Sequence, residues 1–528
     1  MRVLITSLLM VLAWSCGKKE VAPEKRPLNI SFGAEVRTLD PRLGGEYPTA
    51  HLIRMLFDGL MRRDENGITA PAVAESFVIS EDFKTYTFTL RETYWSDGKP
   101  VTAYDFEYAW KKSLDPKTLS HGAQNFYFIK NAKLSAEGKI PVDEVGARAL
   151  DDKTFEVELE YPAPYFLEVL GCTLFHPVPK HLDEKDPNWV HRTDGTFVSN
   201  GPFKLKRWKR GDFISVVKNP YYWDREHVHL AEVKVNFIED GMTQLYLYEK
   251  NKLDWLGSPV NKIPPEAIKS VKSDPSFASV PSPMVYWFFL NSETFPFHNK
   301  KIRQAFSYAI SRNDIVDHIF DGNALPARGI VAPCFDLGNP PCFEDGNFEE
   351  AKKLFDEALE ELKLTRETFS PITIKYASGV ETLNRTAQTV QELWQKTFGI
   401  KVILHQADWP VQFTSIQKGD YQVGMMGWIS FMGDPIYMLQ TFKYKHDMVN
   451  MSNWESEEYL DLLEASNFEA DPEKRNQILI AAEKVLMDEM PIIPICYVSM
   501  EFSKKPELIG VNLPPSGEID FKFASFSQ

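Results

Sequence analysis

Apolar and polar residues alternate strictly over Lys84–Arg91: Tyr86, Phe88 and Leu90 fall on one face and threonines on the other, which predicts a half-buried strand. Lys153–Glu160 repeats the pattern with Phe155, Val157 and Leu159 inward. Between them Thr102–Leu114 has helical spacing, behind a turn at Ser96-Asp97-Gly98, so this part of the chain predicts a small α+β lobe. Upstream, Leu28–Phe32 reads as a short strand and Gly33–Pro41 as a loop closed by a proline turn. Pro48–Arg62 then places Leu52, Leu56, Phe57 and Leu60 at helical spacing. Downstream, Asn200–Trp208 opens a second strand set, Asn219–Trp223 is a loop, and Val233, Val235 and Phe237 mark another strand.

From about Pro281 strands and helices alternate. Val285–Asn291 is an apolar, aromatic strand, and Ile302–Phe320 follows as one helix. Asn347 caps the next helix with Glu350 closing a capping box, over a stripe of Ala351, Leu354, Phe355, Ala358, Leu359 and Leu362. Ile372–Tyr376 is a strand, Leu383–Phe398 a helix ending at Gly399, and Lys401–Leu404 a strand. Val423–Ile429 is a buried strand running into a turn at Gly433-Asp434-Pro435. Asp471-Pro472 starts the last long helix, with Ile478, Ala481, Val485 and Leu486 inward. Such alternation implies an α/β sheet flanked by helices. No internal repeat is visible.

At 528 residues the chain exceeds a single core and divides into two or three lobes. Its 12 Trp, 20 Tyr and 36 Phe exceed core needs and suit an aromatic-lined cleft. A net charge of −15, with no long basic run, argues against nucleic acid as a partner. Residues 1–16 form a secretion signal: Arg2, an apolar segment Val3–Ala13, then Ala13-Trp14-Ser15-Cys16. The segment resembles a bacterial lipoprotein signal, in which Cys16 becomes the lipidated first residue, although Ala13 and Trp14 depart from the usual pattern. Residues 17–27 are a polar tether. Cys334 and Cys342 flank a turn-rich loop, where an exported chain can form a local disulfide or keep both thiols free; Cys172 and Cys496 read as buried thiols.

Catalytic constellations are absent. There is no Gly-x-Ser-x-Gly turn and no His-Glu-x-x-His pair, and Gly98-Lys99 lacks the glycine that a phosphate loop needs. Asp64–Gly67 is a hairpin turn. His227 and His229 share one strand face without a third ligand, so neither a metal nor a cofactor is expected. Gly427 and Trp428 suit a strand on which an extended ligand is laid, since glycine lets a second backbone approach and tryptophan offers a flat face. A core strand with a glycine bulge is the alternative.

Several segments in order resemble the solute-binding proteins of bacterial peptide importers, the dipeptide and oligopeptide family (family 5). They are Phe83–Phe106, which contains Tyr94-Trp-Ser-Asp-Gly-Lys-Pro100, then Asn200-Gly-Pro-Phe-Lys-Leu205, Asn219-Pro-Tyr-Tyr-Trp223, Lys301–Arg312, Gly427-Trp428 and Asp434-Pro435. The resemblance implies a three-lobed periplasmic-binding-protein clamshell with mixed sheets. Lobe I comprises residues 27–47, 190–283 and 498–528, lobe II 48–189 and lobe III 284–497. It implies a monomer held outside the cytoplasmic membrane by its lipid anchor, delivering a peptide to the permease of an ABC importer. The peptide would lie as an added strand between Glu35, Val36 and Arg37 on one side and Met426, Gly427, Trp428 and Ile429 on the other, with Trp287 and Trp409 as cleft aromatics. Phe431 stands where the family commonly has the aspartate that meets the ligand's amino group. Met425 and Ile416 stand where oligopeptide binders use arginines, and Phe289 replaces another acidic position. The termini of a peptide would then be met by Asp434, Glu35 and Arg37, or the solute is apolar or not a peptide (a cell-wall fragment, metal chelate or sugar). An extracytoplasmic enzyme or adhesin is the remaining alternative.

Overall fold

The computed structural model describes residues 26–43, 47–118, 120, 122–430, 432–445, 447, 449–514 and 517–527. Cys16 therefore lies outside the described residues, as does Phe431.

Strand β1 (Leu28–Phe32) buries Leu28, Ile30 and Phe32. Helix α1 (Tyr47–Leu56) follows and stops short of the Arg62 that spacing predicts. Its last carbonyls are met by a side chain instead: the Arg62 guanidinium donates to Arg54 O at 2.9 Å and Phe57 O at 3.3 Å. The small lobe comes next, with β2 (Ala74–Ile79), β3 (Thr85–Leu90), α2 (Ala103–Leu114), β4 (Ala147–Ala149) and β5 (Thr154–Glu158). Its sheet has the order β2-β3-β5-β4, with Phe88 paired to Phe77 on one side and Phe155 on the other. Thr102 and Asp105 form a capping box on α2, and Trp110 meets Phe155 edge-on at 5.0 Å.

Strands β6 (Phe203–Lys209), β7 (Phe213–Lys218) and β8 (Glu232–Phe237) complete a second sheet, in which β1 lies parallel to β8. The large sheet begins with β9 (Trp255–Gly257) and β10 (Phe277–Leu290). After β10 the single helix expected over 302–320 is two, α3 (Lys300–Tyr308) and α4 (Arg312–Ile319). Ser311 caps α4, and the fully buried Arg312 donates to Pro494 O at 2.6 Å and to the Ser307 carbonyl, which holds the break in place. Strand β11 (Ala324–Pro326), α5 (Phe348–Leu362), β12 (Ile372–Ala377), α6 (Glu381–Phe398) and β13 (Val402–Ala407) follow. Then come α7 (Trp409–Gln417), β14 (Val423–Ile429), α8 (Glu457–Phe468), α9 (Pro472–Glu489) and β15 (Ile492–Lys504).

The large sheet has the order β9-β15-β10-β14-β12-β13, with β11 also on β15. One face, carrying Phe288, Leu290, Val423 and Met425, packs on the helices α3–α6. The other, carrying Val285, Trp287, Phe289 and Met426, joins the core shared with the rest of the molecule. Strands β10 and β15 pair antiparallel along most of their length, with a register shift between Pro281 and Val285.

Buried ion pairs tie α1 and the chain after it to the C-terminal segment. Arg62 lies between Asp58 (3.2 Å) and Asp520 (2.8 Å), and Arg54 pairs with Glu518. Burial works against the Arg62 charge, and the carboxylates of Asp520 and Asp58 outweigh it, so the guanidinium is held above its ordinary value. His51 and His176 are buried in this region. Burial, followed by the charge of Arg54, pushes His51 down to about 3 and His176 well below its ordinary value. A depressed folded value means that the unfolded chain binds the proton more readily. The stability these imidazoles contribute is therefore complete above the unfolded value of 6.5 and is lost below it. We expect stability to fall by about 1.4 kcal/mol per pH unit per histidine below that point. Denaturant midpoints measured from neutral to mildly acidic pH check this, and a flat profile would contradict it.

Cys334 and Cys342 are free thiols, against the local disulfide that their spacing allows. Each packs half-buried against the main core, and burial pushes both thiols up to about 12, away from the thiolate that disulfide formation requires. His227 lies in a short helical turn, Arg225–His227, and not on a strand; its Nδ1 is 2.5 Å from Asp224. No helix among the described residues is long and apolar enough to cross a membrane.

Candidate ligand-binding site

Strand β14 pairs with β10 along its whole length, from Val423 opposite Leu290 to Ile429 opposite Met284. On its other side β12 pairs only at Val423 and Gly424. Beyond that point the two strands part, and the buried side chain of Gln412 from α7 enters between them. Its Nε2 donates to Lys375 O (3.1 Å) and Met425 O (3.4 Å). The edge of β14 from Met426 to Ile429 is consequently unpaired by any strand among the described residues.

Alternation along a strand decides which backbone groups line that edge. Asn291 N–H donates to Gln422 O (2.9 Å) and Ser430 N–H to Pro283 O (3.1 Å), so the even-numbered residues of β14 turn their polar groups toward β10. The odd-numbered ones turn away, as Met425 O does in meeting Gln412. Gly427 and Ile429 thus present both N–H and C=O at the open edge. Two buried polar atoms flank it without a hydrogen-bond partner among the described residues: Gln412 Oε1 and Trp428 Nε1. Leaving such an atom unpaired costs about 1–3 kcal/mol, so both are suited to a ligand that brings a donor for the first and an acceptor for the second.

Aromatic rings form the wall. Trp428 stacks on the buried Trp287 (centroids 6.3 Å apart, 22°), which meets Phe442 edge-on at 5.7 Å. Trp409 begins α7, is 43% exposed and leans on Phe413 at 5.5 Å. Gly427 is glycine for a reason the sequence did not show. A Cβ there would lie 2.5 Å from Met284 Cε and 2.7 Å from the Tyr286 ring, the side chains of neighbouring β10 residues. Its bare Cα accommodates Tyr286, while the ligand-facing feature is its backbone.

The charged residues expected at the ligand's ends are engaged within the protein. Asp434 makes a two-pronged pair with Arg475 (2.7 and 2.9 Å), above the ring of Tyr165 in the small lobe. Next to it, Gly433 abuts the Arg63–Glu168 pair, so the turn after β14 is docked on the small lobe. Glu35 accepts from Trp208 Nε1 (3.0 Å) and Gly211 N–H (2.8 Å) and faces Arg210 at 3.7 Å. Val36 is buried. Arg37 has an interaction partner of its own. Phe289 packs edge-on against Tyr421 at 5.3 Å, and Met425 is buried on the helical face. We expect Asp434→Asn to lower stability by about 3–5 kcal/mol, because it leaves the Arg475 charge buried without a counter-ion. Thermal unfolding checks this; a variant that keeps its stability and loses only its preference for free amino ends would return Asp434 to the ligand.

Sequence reasoning missed Gln412, Phe442 and Arg475. The only trace of Gln412 was its position inside Trp409–Gln417, a short segment of largely apolar character that begins with Trp409-Pro410.

A family model described as bacterial extracellular solute-binding proteins, family 5, middle, matches residues 69–450. The chain is 36% identical to the oligopeptide-binding protein OppA of Bacillus subtilis (strain 168) over 515 residues, covering 97% of this chain and 94% of the relative. Among solved structures, a periplasmic oligopeptide-binding protein of an oligopeptide ABC transporter (OppAIV) from Borrelia burgdorferi superposes with a TM-score of 0.78 at 28% identity, covering 95% and 100% of the two chains. Haemophilus influenzae OppA, solved in complex with RPPGFSPFR, superposes with a TM-score of 0.76 at 27% identity, covering 95% and 99%. With more than half its length matched by the family model and a close relative spanning nearly all of it, this chain belongs to the bacterial extracellular solute-binding proteins of family 5.

Proposed function

We propose that the protein is the extracytoplasmic solute-binding subunit of an ABC importer and that it binds peptides or peptide-like solutes by their main chain. The observation that carries this is the open edge of β14, where Gly427 and Ile429 offer N–H and C=O groups beside Gln412 Oε1 and Trp428 Nε1, which have no partner among the described residues. An extended peptide satisfies all of them as an added strand, and a wall of Trp428, Trp287 and Phe442 accepts side chains without selecting among them. No bond is made or broken in such capture, so we assign no catalytic residue.

Closure follows the lobes read from the sequence, 27–47 with 190–283 and 498–528, 48–189, and 284–497. Strands β10 and β15 cross from the first to the third, and their register shift between Pro281 and Val285 falls at that crossing, which suits a hinge. The Asp434–Arg475 pair over Tyr165 is a contact that would form as the third lobe meets the second. Cys16 would hold the mature protein at the membrane beside its permease. With Glu35 and Asp434 engaged internally and Phe431 read as an apolar neighbour of the ligand's first residue, we favour solutes whose amino end is blocked or otherwise satisfied.

Calorimetric titration with tri- to pentapeptides tests the reading. Replacing side chains should change affinity little. N-methylating the ligand amides, one position at a time, should lower it about tenfold at those that face Gly427 and Ile429. Affinity that follows side-chain identity and ignores N-methylation would refute main-chain recognition.

A further inference from the structure

Away from the β14 edge, a cavity of about 480 Å³ lies between the small lobe and the end of α8, a size typical of small-molecule sites. Its lining is mostly apolar and includes Ile79, Phe83 and Tyr86 of the β2–β3 hairpin, Leu167, and Asn467 and Phe468 from α8. It shares no residue with the peptide edge.

Three features set it apart from an ordinary surface crevice. Phe83 holds its backbone at φ +57°, in the left-handed region that bulky residues rarely occupy, and its side chain remains 47% exposed. On the opposite lip Phe468 is 66% exposed. Two large rings are thus left in water on either side of an apolar hollow. Asn467, in contrast, is 8% exposed, and its Oδ1 is buried with no hydrogen-bond partner among the described residues. An unpaired acceptor on a residue that lines a largely apolar cavity, whose wall also carries Asp82, Lys84 and Glu469, asks for one donor.

We propose that this cavity is a second binding site, for a small aromatic molecule that carries a single N–H or O–H donor. The donor meets Asn467 Oδ1 and the apolar body is covered by Phe83 and Phe468. Indole, which has this chemistry, is the probe, and naphthalene is a flat bicyclic ring system of similar size without the donor. In titrations of the full-length protein followed by NMR or calorimetry, indole should bind one-to-one and should not be displaced by peptide. Asn467→Leu should weaken indole about tenfold and leave naphthalene unchanged. The Phe83→Ser/Phe468→Ser variant alters only exposed rings and should lose both. Absence of saturable indole binding, equal indole affinity in all three proteins, or competition with peptide would overturn the assignment.

Discussion

Ile429→Pro should lower peptide affinity at least tenfold while leaving the protein as stable as before. Proline removes one N–H and fixes the backbone near strand-compatible geometry. At Ile429 that N–H faces away from β10, toward the edge that β12 leaves unpaired, so no bond within the sheet is lost. The ligand loses a donor worth about 1 kcal/mol and meets a ring where an N–H stood, and the two effects together exceed the loss of one hydrogen bond. Trp428→Pro is the contrasting variant. Its N–H points toward β10, so proline there breaks the central ladder and should destabilise the protein by about 3 kcal/mol. Opposite responses at adjacent residues are a signature of edge recognition that a general loss of folding cannot imitate. Full affinity in Ile429→Pro would show that the ligand is held elsewhere.

Arg62→Met should be the most damaging substitution remote from the ligand, costing about 3–5 kcal/mol of stability. Methionine keeps much of the apolar stem but removes the charge that two buried carboxylates share. The Arg62 side chain is 4% exposed, and those of Asp58 and Asp520 are 0% and 3%. Asp58 also accepts from Tyr222 Oη and Trp223 Nε1, both at 2.9 Å, so the network extends into the second strand set. Without the guanidinium the two carboxylates repel each other in a low-dielectric seam, and the carbonyls of Arg54 and Phe57 lose their donor. Denaturant unfolding monitored by tryptophan fluorescence reads the effect; an unchanged midpoint would mean that the seam contributes no net stability.

Local pattern carried most of the fold. Strict alternation located β3 and β5, the apolar run located β14 to the residue, helical spacing behind a turn located α2, and Asn347 and Asp471-Pro472 located the starts of α5 and α9. The failures have physical causes. The central strand β15 went unread because Pro494 interrupts its apolar run; the sheet tolerates it where the register shifts opposite Tyr286 and Trp287. The end of α1 and the break between α3 and α4 are set by the Arg62 and Arg312 guanidinium groups, whose partners are distant in sequence and leave no periodic signal. The site was half legible. The Gly427-Trp428 platform is visible in the chain, but the separation of β12 from β14 depends on Gln412, one side chain in a short helix. Asp434 and Glu35 look available in sequence because their partners, Arg475 and Trp208, are too far along the chain to be paired by inspection.

The central claim is that the open edge of β14 holds the main chain of a peptide or peptide-like solute. Native mass spectrometry of gently purified protein tests it most directly, since captured solutes are carried through and weighed. The account predicts a ladder of bound masses spaced by amino-acid residues, depleted in Ile429→Pro. A single bound mass with no amide backbone, retained equally by that variant, would contradict it.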